Sequence, residues 1–406
     1  RASGDGGVHV QQRRVRRSRL AAAVPGAGGA LTAVEGAGTS VPADGRTPGR
    51  IELAHGALDL PTFLPDATQG VVRAVDPADL EAIGVQGVMM NVFHLMQRPG
   101  SGAIRALGGL HRAFGWRGPI ITDSGGFQVY SLIRENPRSG SLSDRGFVYR
   151  PEGARSKVNL TPEKSIQLQM AYGADAVVCL DDCTHAAAPY AEQREAVRRT
   201  VLWARRCRAE YDRLLGERRD GGPRPLILGV VQGGNEPDLR RECAEGLLEI
   251  GFDAYGLGGW PLDEESNLLT DIIAYLRESI PPEFPMHALG VGHPDHIVTL
   301  WRMGYGLYDS SMPTRDARHG RLLVLGPDAE ARVRAGEGPG VTHLYVQDEE
   351  HYRDPRPVSE GCGCLGCRRY SRAYLHHLFR TGDSLYHRLA TLHNLRAVVD
   401  LMAILR

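Results

Sequence analysis

Carboxylate and amide side chains stand directly after short apolar runs, and that placement is where chemistry is legible in this chain. Asp123 follows the run 119–122, Asp181 and Asp182 follow 176–180, Gln232 follows 226–231, and Asp309 follows 305–308. Gly258 and Gly259 end another run, 254–257. A single acid in such a place is ordinarily a cap for the next helix. Several acids, an amide and paired glycines converge on one rim when the strands are parallel and close into a barrel. Asp123 opens DSGGFQ, where Gly125 and Gly126 let backbone N–H groups approach a flat ligand. Phe127 offers a ring face for stacking, the alternative being ordinary core. The Asp181 carboxylate suits a pair of N–H groups, the Gln232 amide suits a carbonyl, and Gly259 offers an unblocked backbone N–H. This describes a pocket for a purine-like base. Asp123 and Asp309 then suit a glycosidic bond, one as nucleophile at the sugar carbon and one as acid/base toward the base.

A second reactive set is GCGCLGC, with Cys362, Cys364 and Cys367. Three thiols at this spacing nearly complete a tetrahedral zinc site; a disulfide plus a free thiol is the alternative. His376, His377 and His393 all lie on a helical pattern through 371–401, and spacing does not choose among them as fourth ligand. Four protein ligands would close the shell, so one structural zinc per chain is expected rather than a catalytic one. Arg315, Arg318, His319 and Arg321 follow Asp309, and Arg368, Arg369 and Arg372 follow the thiols. Scattered surface charge is the usual explanation for such runs; beside a site they suit phosphate contacts.

Side chains so placed need a scaffold that brings strand ends together. Apolar runs at 85–92, 119–122, 176–180, 226–231, 254–257, 286–291 and 305–308 alternate with helical patterns at 162–172, 191–215, 237–250 and 265–278. Near-continuous apolar strands alternating with helices predict an α/β chain with a covered parallel sheet, here a (β/α)8 TIM barrel with a C-terminal zinc-binding subdomain. The expected boundaries are 49–406 for the barrel, with the zinc subdomain at about 325–395. A doubly wound open sheet is the structural alternative, but no GxGxxG opens a helix after the first strand. Of 406 residues, 42% are hydrophobic, enough for a large core. Lys plus Arg and Asp plus Glu are each 48, so bulk charge does not draw the chain to polyanions and any nucleic-acid contact must use local patches. The seven cysteines are odd in number with three clustered, which points to a reducing, cytoplasmic setting. No apolar run approaches the ~20 residues of a membrane helix. Residues 1–48 carry a basic run from Arg13 to Arg19 and then a Gly/Ala-rich stretch interrupted by Pro25. They are expected to form a disordered extension with an arm-like affinity for phosphates, not an export signal.

The motifs NVFHLMQRPG (91–100), GGLHRAFGW (108–116), TDSGGFQV (122–129), VVQGG (230–234), EIGFDAYGLGG (249–259), MPTRDARHG (312–320) and CGCLGC (362–367) together resemble the tRNA-guanine transglycosylases, also called queuine tRNA-ribosyltransferases. The resemblance runs from about Arg50 to the C-terminus. It implies exchange of guanine at the wobble position of a tRNA with a G-U-N anticodon for a 7-deazaguanine base, either 7-aminomethyl-7-deazaguanine or queuine. It implies a covalent Asp–ribose intermediate, with Asp309 as nucleophile and Asp123 as acid/base. Asp123, Ser124, Gly125, Gly126, Phe127, Asp181, Gln232 and Gly259 match the family's base pocket. Gly290, Val291, Gly292, His293, Pro294, Asp295 and His296 match a stretch along the RNA, and Thr314, Arg315, Asp316, Ala317 and Arg318 match a loop that reads the wobble region. Cys362, Cys364, Cys367 and His393 match the zinc ligands, which selects among the histidines. A homodimer is implied as well, and the apolar, aromatic-bearing stretch 374–405 is a hint in the same direction. PDATQG at 65–70, Phe127 and WPLDE at 260–264 depart from the common bacterial pattern, so base choice is the feature the resemblance carries least well. In the resembling enzymes the peptide between the positions of Trp260 and Pro261 presents either its carbonyl or its N–H to the base; a proline there removes the second option. Competing readings are a relative acting on DNA, a non-catalytic RNA-binding subunit, and a sugar hydrolase. The retained acids oppose the silent subunit, and the arginines with the thiol cluster oppose the hydrolase.

Overall fold

A computed structural model describes residues 39–40, 49–150, 157–185, 187–219, 221–263 and 265–406. The expected extension falls, apart from 39–40, outside the described residues, as does Glu264.

The eight parallel strands are Thr62–Pro65, Val88–Asn91, Ile120–Asp123, Ala176–Val178, Leu226–Val231, Ala254–Leu257, Met286–Ala288 and Leu307–Ser310. We number them one to eight. The first pairs with the eighth, and the others pair in chain order down to the second. The remaining seam, between the first and second strands, is joined by a bridge from Asp66 to Met89, with Ala67 N–H donating to Met89 O at 2.7 Å. Alternate residues divide between two cores. Leu64, Met89, Ile121, Val178, Leu228, Val230 and Leu307 fill the interior. Phe63, Val88, Ile120, Val177, Ile227, Tyr255 and Tyr308 pack outward with the surrounding helices. Burial on both faces explains why the strands read as continuous apolar runs.

Helices Pro162–Tyr172 and Pro237–Ile250 fall where the sequence predicts them. Both begin with proline at the first turn, where the missing N–H costs nothing. Other elements differ. The first strand, Thr62–Pro65, is absent from the apolar runs because its four residues, which follow Pro61 and end in Pro65, are too few to show a period. The eighth is displaced to Leu307–Ser310, so Asp309 lies inside the strand, paired with Leu64. The expected helix at 265–278 is Thr270–Ser279. Residues 261–263 instead pair back on 267–269, with Leu269 N–H donating to Pro261 O and Asp263 N–H to Asn267 O, each at 2.9 Å. The pattern 371–401 is two helices, Arg372–Thr381 and Ser384–Leu405. Gly382 at φ +69° ends the first, and the Asp383 side chain caps the second.

Past the eighth strand, Arg321–Val324 and Thr342–Tyr345 form an antiparallel hairpin over a small core of Leu322, Leu344, Val346, Val358, Leu375, Leu378 and Leu389. The last helix then returns to the barrel, burying Leu392, Leu395, Val398, Leu401, Met402 and Leu405 in the main core. The apolar length of this helix is therefore spent within the chain; of the aromatic rings in the stretch 374–405, those of Tyr374 and His377 are what remains exposed.

Candidate active site

The carboxyl ends of the strands open into one cavity of about 940 Å3. Asp123, Ser124, Gly125, Phe127, Asp181, Gln232, Gly259 and Asp309 all line it. Gly126 does not: it starts the helix Gly126–Glu135 and packs against Leu180 behind the wall. A side chain on Gly125, at φ +78°, would come within 2.6 Å of Phe93 Cβ, so this turn requires glycine. Phe127 is not core: it is 43% exposed and stands edge-on to Trp260, also exposed, at 5.8 Å between centroids.

Asp123 accepts hydrogen bonds from Asn91 Nδ2 (2.7 Å) and Gly125 N–H (3.0 Å). Burial pushes its carboxyl up to about 7; those two bonds pull it down, and the charges of Asp309 and Asp66 add to the rise. Asp309 accepts from Gly290 N–H at 3.1 Å. A carboxyl raised this far above its ordinary range can both give and take a proton near neutrality.

Asp181 accepts from Gln232 Nε2 at 2.6 Å, and burial raises its carboxyl to about 6. Gln232 Oε1 is buried without a protein partner. This fixed acceptor and donor pair leaves one unmet acceptor, which suits a ligand with N–H edges. Neighbouring Asp182 turns the other way, into an ion pair with Arg199. Gly258 sits so close that a side chain there would lie 2.5 Å from Gln232 Nε2. Buried Arg240 braces these loops, donating to Val231 O (2.6 Å), Gly234 O (2.9 Å) and Gly258 O (3.0 Å).

Gly290, Val291, Gly292, His293 and His296 also line the cavity. Pro294 and Asp295 open the next helix, Pro294–Arg302, outside it. Burial lowers the basicity of His293 and His296, which favours neutral rings at this wall. The segment 312–318 is a helix, Met312–Arg318, not a loop. Arg315 and Asp316 reach the cavity, whereas Thr314 and Ala317 are buried. Ala317 O accepts from Tyr386 OH at 3.0 Å, and Arg318 is half-buried beside the charge of Asp66.

Cys362, Cys364, Cys367 and His393 come together behind this helix, their ligand atoms all within 4.8 Å of one another. Nδ1 of His393 is 3.7, 3.7 and 3.3 Å from the three sulfurs in that order. Tetrahedral zinc with ordinary Zn–S and Zn–N bonds has edges of roughly 3.5 Å, so the cluster fits a metal ion. The other ring nitrogen of His393 lies 2.7 Å from Leu323 O, which turns Nδ1 toward the thiols. Of the rival histidines, His376 bonds Val346 O at 2.8 Å and His377 stacks near Tyr374. Asn394, next to the ligand, ties the module to the rim: it accepts from Leu323 N–H (2.8 Å) and donates to Pro313 O and Arg321 O (both 3.0 Å).

Asn91, Asp66, Arg240 and His287 are site residues that the sequence reading did not select. The strand-end rule would have found Asn91 and Asp66 had it been applied to amides in every strand and had the first strand been visible. Arg240 and His287 carry no such mark, because a side chain within a helix or strand interior shows its role only through packing.

Carboxylates facing one cavity at the carboxyl ends of parallel strands, with a Cys3His module beside them, define a (β/α)8-barrel enzyme with a zinc-finger-like appendage. The model of the queuine tRNA-ribosyltransferase family matches residues 44–406. The chain is 39% identical over 360 residues to the queuine tRNA-ribosyltransferase of Syntrophobacter fumaroxidans, covering 88% of each chain. It is 39% identical over 360 residues to that of Aromatoleum aromaticum (88% of this chain, 90% of the relative) and 37% over 354 residues to that of Thermotoga petrophila (87% and 88%). The chain belongs to the queuine tRNA-ribosyltransferase family. Among the described residues no helix is long and apolar enough to cross a membrane.

Proposed function

We propose that this protein is a tRNA ribosyltransferase that replaces guanine at the wobble position of G-U-N anticodons with a 7-deazaguanine base, using Asp309 as nucleophile and Asp123 as proton carrier. The observation that carries the reading is the opposition of Asp123, held at about 7, and Asp309 across a cavity that also holds the Asp181–Gln232 pair. In the first displacement an Asp309 oxygen bonds to C1′ of the ribose as the bond from C1′ to the base nitrogen breaks. The bond's electron pair leaves with the base, which takes a proton from Asp123. In the second, the incoming base gives its ring N–H proton to Asp123 and attacks C1′, and Asp309 departs as a carboxylate. Two inversions retain the sugar configuration, and no oxidant or reductant is needed. Ser124, Gly125, Phe127, Asp181, Gln232 and Gly259 hold the base. Gly290 to His296 and the helix with Arg315 and Arg318 hold the RNA, mainly through phosphate.

Zinc at Cys362, Cys364, Cys367 and His393 would keep the module folded and so fix the helix Met312–Arg318 beside the site. A homodimer belongs to the same reading. The stack of half-buried Tyr370 with exposed Tyr374 and His377, with ring centroids 5.1 and 6.4 Å apart, supports it in place of the buried C-terminal helix. Light scattering should give twice the chain mass.

Incubation with labelled guanine and either a G-U-N tRNA or duplex DNA tests the substrate: label should enter the tRNA alone. Asp309→Asn should abolish a denaturation-resistant protein–RNA adduct, and an undiminished adduct would remove Asp309 from the role.

A further inference from the structure

His287 lies in the middle of the seventh strand, between Met286 and Ala288, which face the outer core. Alternation turns its ring into the barrel, among the leucine, valine, isoleucine and methionine side chains of the interior. The residue is fully buried, and neither ring nitrogen has an aligned hydrogen-bond partner. A polar ring buried this way costs stability that an apolar side chain of the same volume would not, so its presence calls for a reason. Its Nε2 stands 2.9 Å from Oδ1 of Asp309. The distance is that of a hydrogen bond, and only the angle is lacking. Gly290 N–H donates to the same oxygen.

We propose that His287 is a positioning residue for Asp309. A small turn of the ring aims Nε2–H at Oδ1, so that His287 from below and Gly290 from the side grip one carboxylate oxygen. The carboxylate then no longer rotates freely, and Oδ2 is the oxygen presented to C1′. Once Oδ2 is bonded to the ribose, Oδ1 is the carbonyl oxygen of the ester, and the same two donors polarise it and stabilise the carboxylate as it leaves in the second displacement. The inference rests on Asp309 as nucleophile. The strand interior explains why His287 carries no mark in the sequence: only the register between the seventh and eighth strands, with His287 opposite Leu307, sets its ring beneath residue 309.

The test compares His287→Leu, which fills the space without a donor, with His287→Gln, whose side-chain amide restores one near the same point. The leucine variant should lose on the order of a hundredfold in kcat, as expected for a nucleophile left loosely oriented, while KM for tRNA and base stays within about twofold. The glutamine variant should recover most of that loss, and neither should melt markedly lower than wild type. If leucine does not fold, methionine takes its place. Wild-type kcat in the leucine variant, or equal loss in the leucine and glutamine variants, would overturn the proposal, the second outcome leaving His287 a packing residue. Asp309→Asn assayed alongside separates the two readings. If it still forms the adduct, the nucleophile assignment fails and this inference with it; if it is inert while His287→Leu is fully active, only the role of His287 falls.

Discussion

Asn91 and Asp123 stand opposite each other where the second and third strands end, and Nδ2 of Asn91 donates to Oδ2 of Asp123 at 2.7 Å. The bond favours the carboxylate in a place where burial favours the acid, and the balance leaves the group at about 7. The two strand ends thus hold this carboxyl near neutrality.

Asn91→Leu removes a donor that stabilises the charged form, so the pKa of Asp123 should rise further. In pH–rate profiles of base exchange, the alkaline limb, where Asp123 has lost the proton it gives to the leaving base, should move to higher pH, and activity at pH 8 should be better retained relative to pH 6. A limb that stays in place would mean that another group titrates.

Asp123→Asn should separate activity from stability. The folded pKa is raised, so the contribution to stability is fully present below the unfolded value of 3.8 and is lost as pH rises through about 7. Above pH 7 the wild type carries a desolvated charge that the amide lacks. The full separation corresponds to at most ~4 kcal/mol, and water in the open cavity reduces it to about half or less. Melting curves should show the variant more stable at pH 8, by a few degrees, and equal to wild type near pH 4. A constant difference across that range would rule out titration as the cause.

Cys362→Ala should cost the zinc and the module around it, since metal binding there is part of the folding free energy. Metal analysis should find one zinc per wild-type chain and none in the variant. Asn394 links the ligand His393 to Pro313 and Arg321, so the loss should reach the helix beside the cavity and weaken tRNA binding on the order of tenfold or more. A chelated protein that keeps full activity would contradict this.

Pro261 lines the cavity where 261–263 pair with 267–269, and its carbonyl is engaged by Leu269 N–H. Proline has no N–H, so this peptide can offer the carbonyl of Trp260 but no donor toward N7 of a bound guanine. One lost hydrogen bond in a dry pocket costs roughly 1–3 kcal/mol, so guanine should bind about ten- to a hundredfold more weakly than where the donor exists. Pro261→Ala should gain guanine exchange and keep most of its rate with 7-aminomethyl-7-deazaguanine. Identical guanine kinetics in the two proteins would show that the base does not meet this peptide.

The barrel was legible in the sequence because a strand buried on both faces is a continuous apolar run, and because strand ends in one closed sheet share a rim. That logic marked Asp123, Asp181, Gln232, Gly259 and Asp309, and C-x-C-x2-C marked the thiols at any distance from the barrel. Tertiary structure decided what depends on direction and approach. Asp181 and Asp182 are chain neighbours of the same type, yet one faces the cavity and the other pairs with Arg199. Thr314 and Ala317 share a motif with Arg315, but the helical turn buries them. His376, His377 and His393 sit on similar apolar patterns, and only the break at Gly382 and the hydrogen bond to Leu323 turn one of them to the sulfurs. Asn91 and His287 act through partners 32 and 22 positions away in the chain. A sequence records which groups are available and at what spacing; which of them meet is fixed by strand register and helix rotation, which form only when the whole sheet closes.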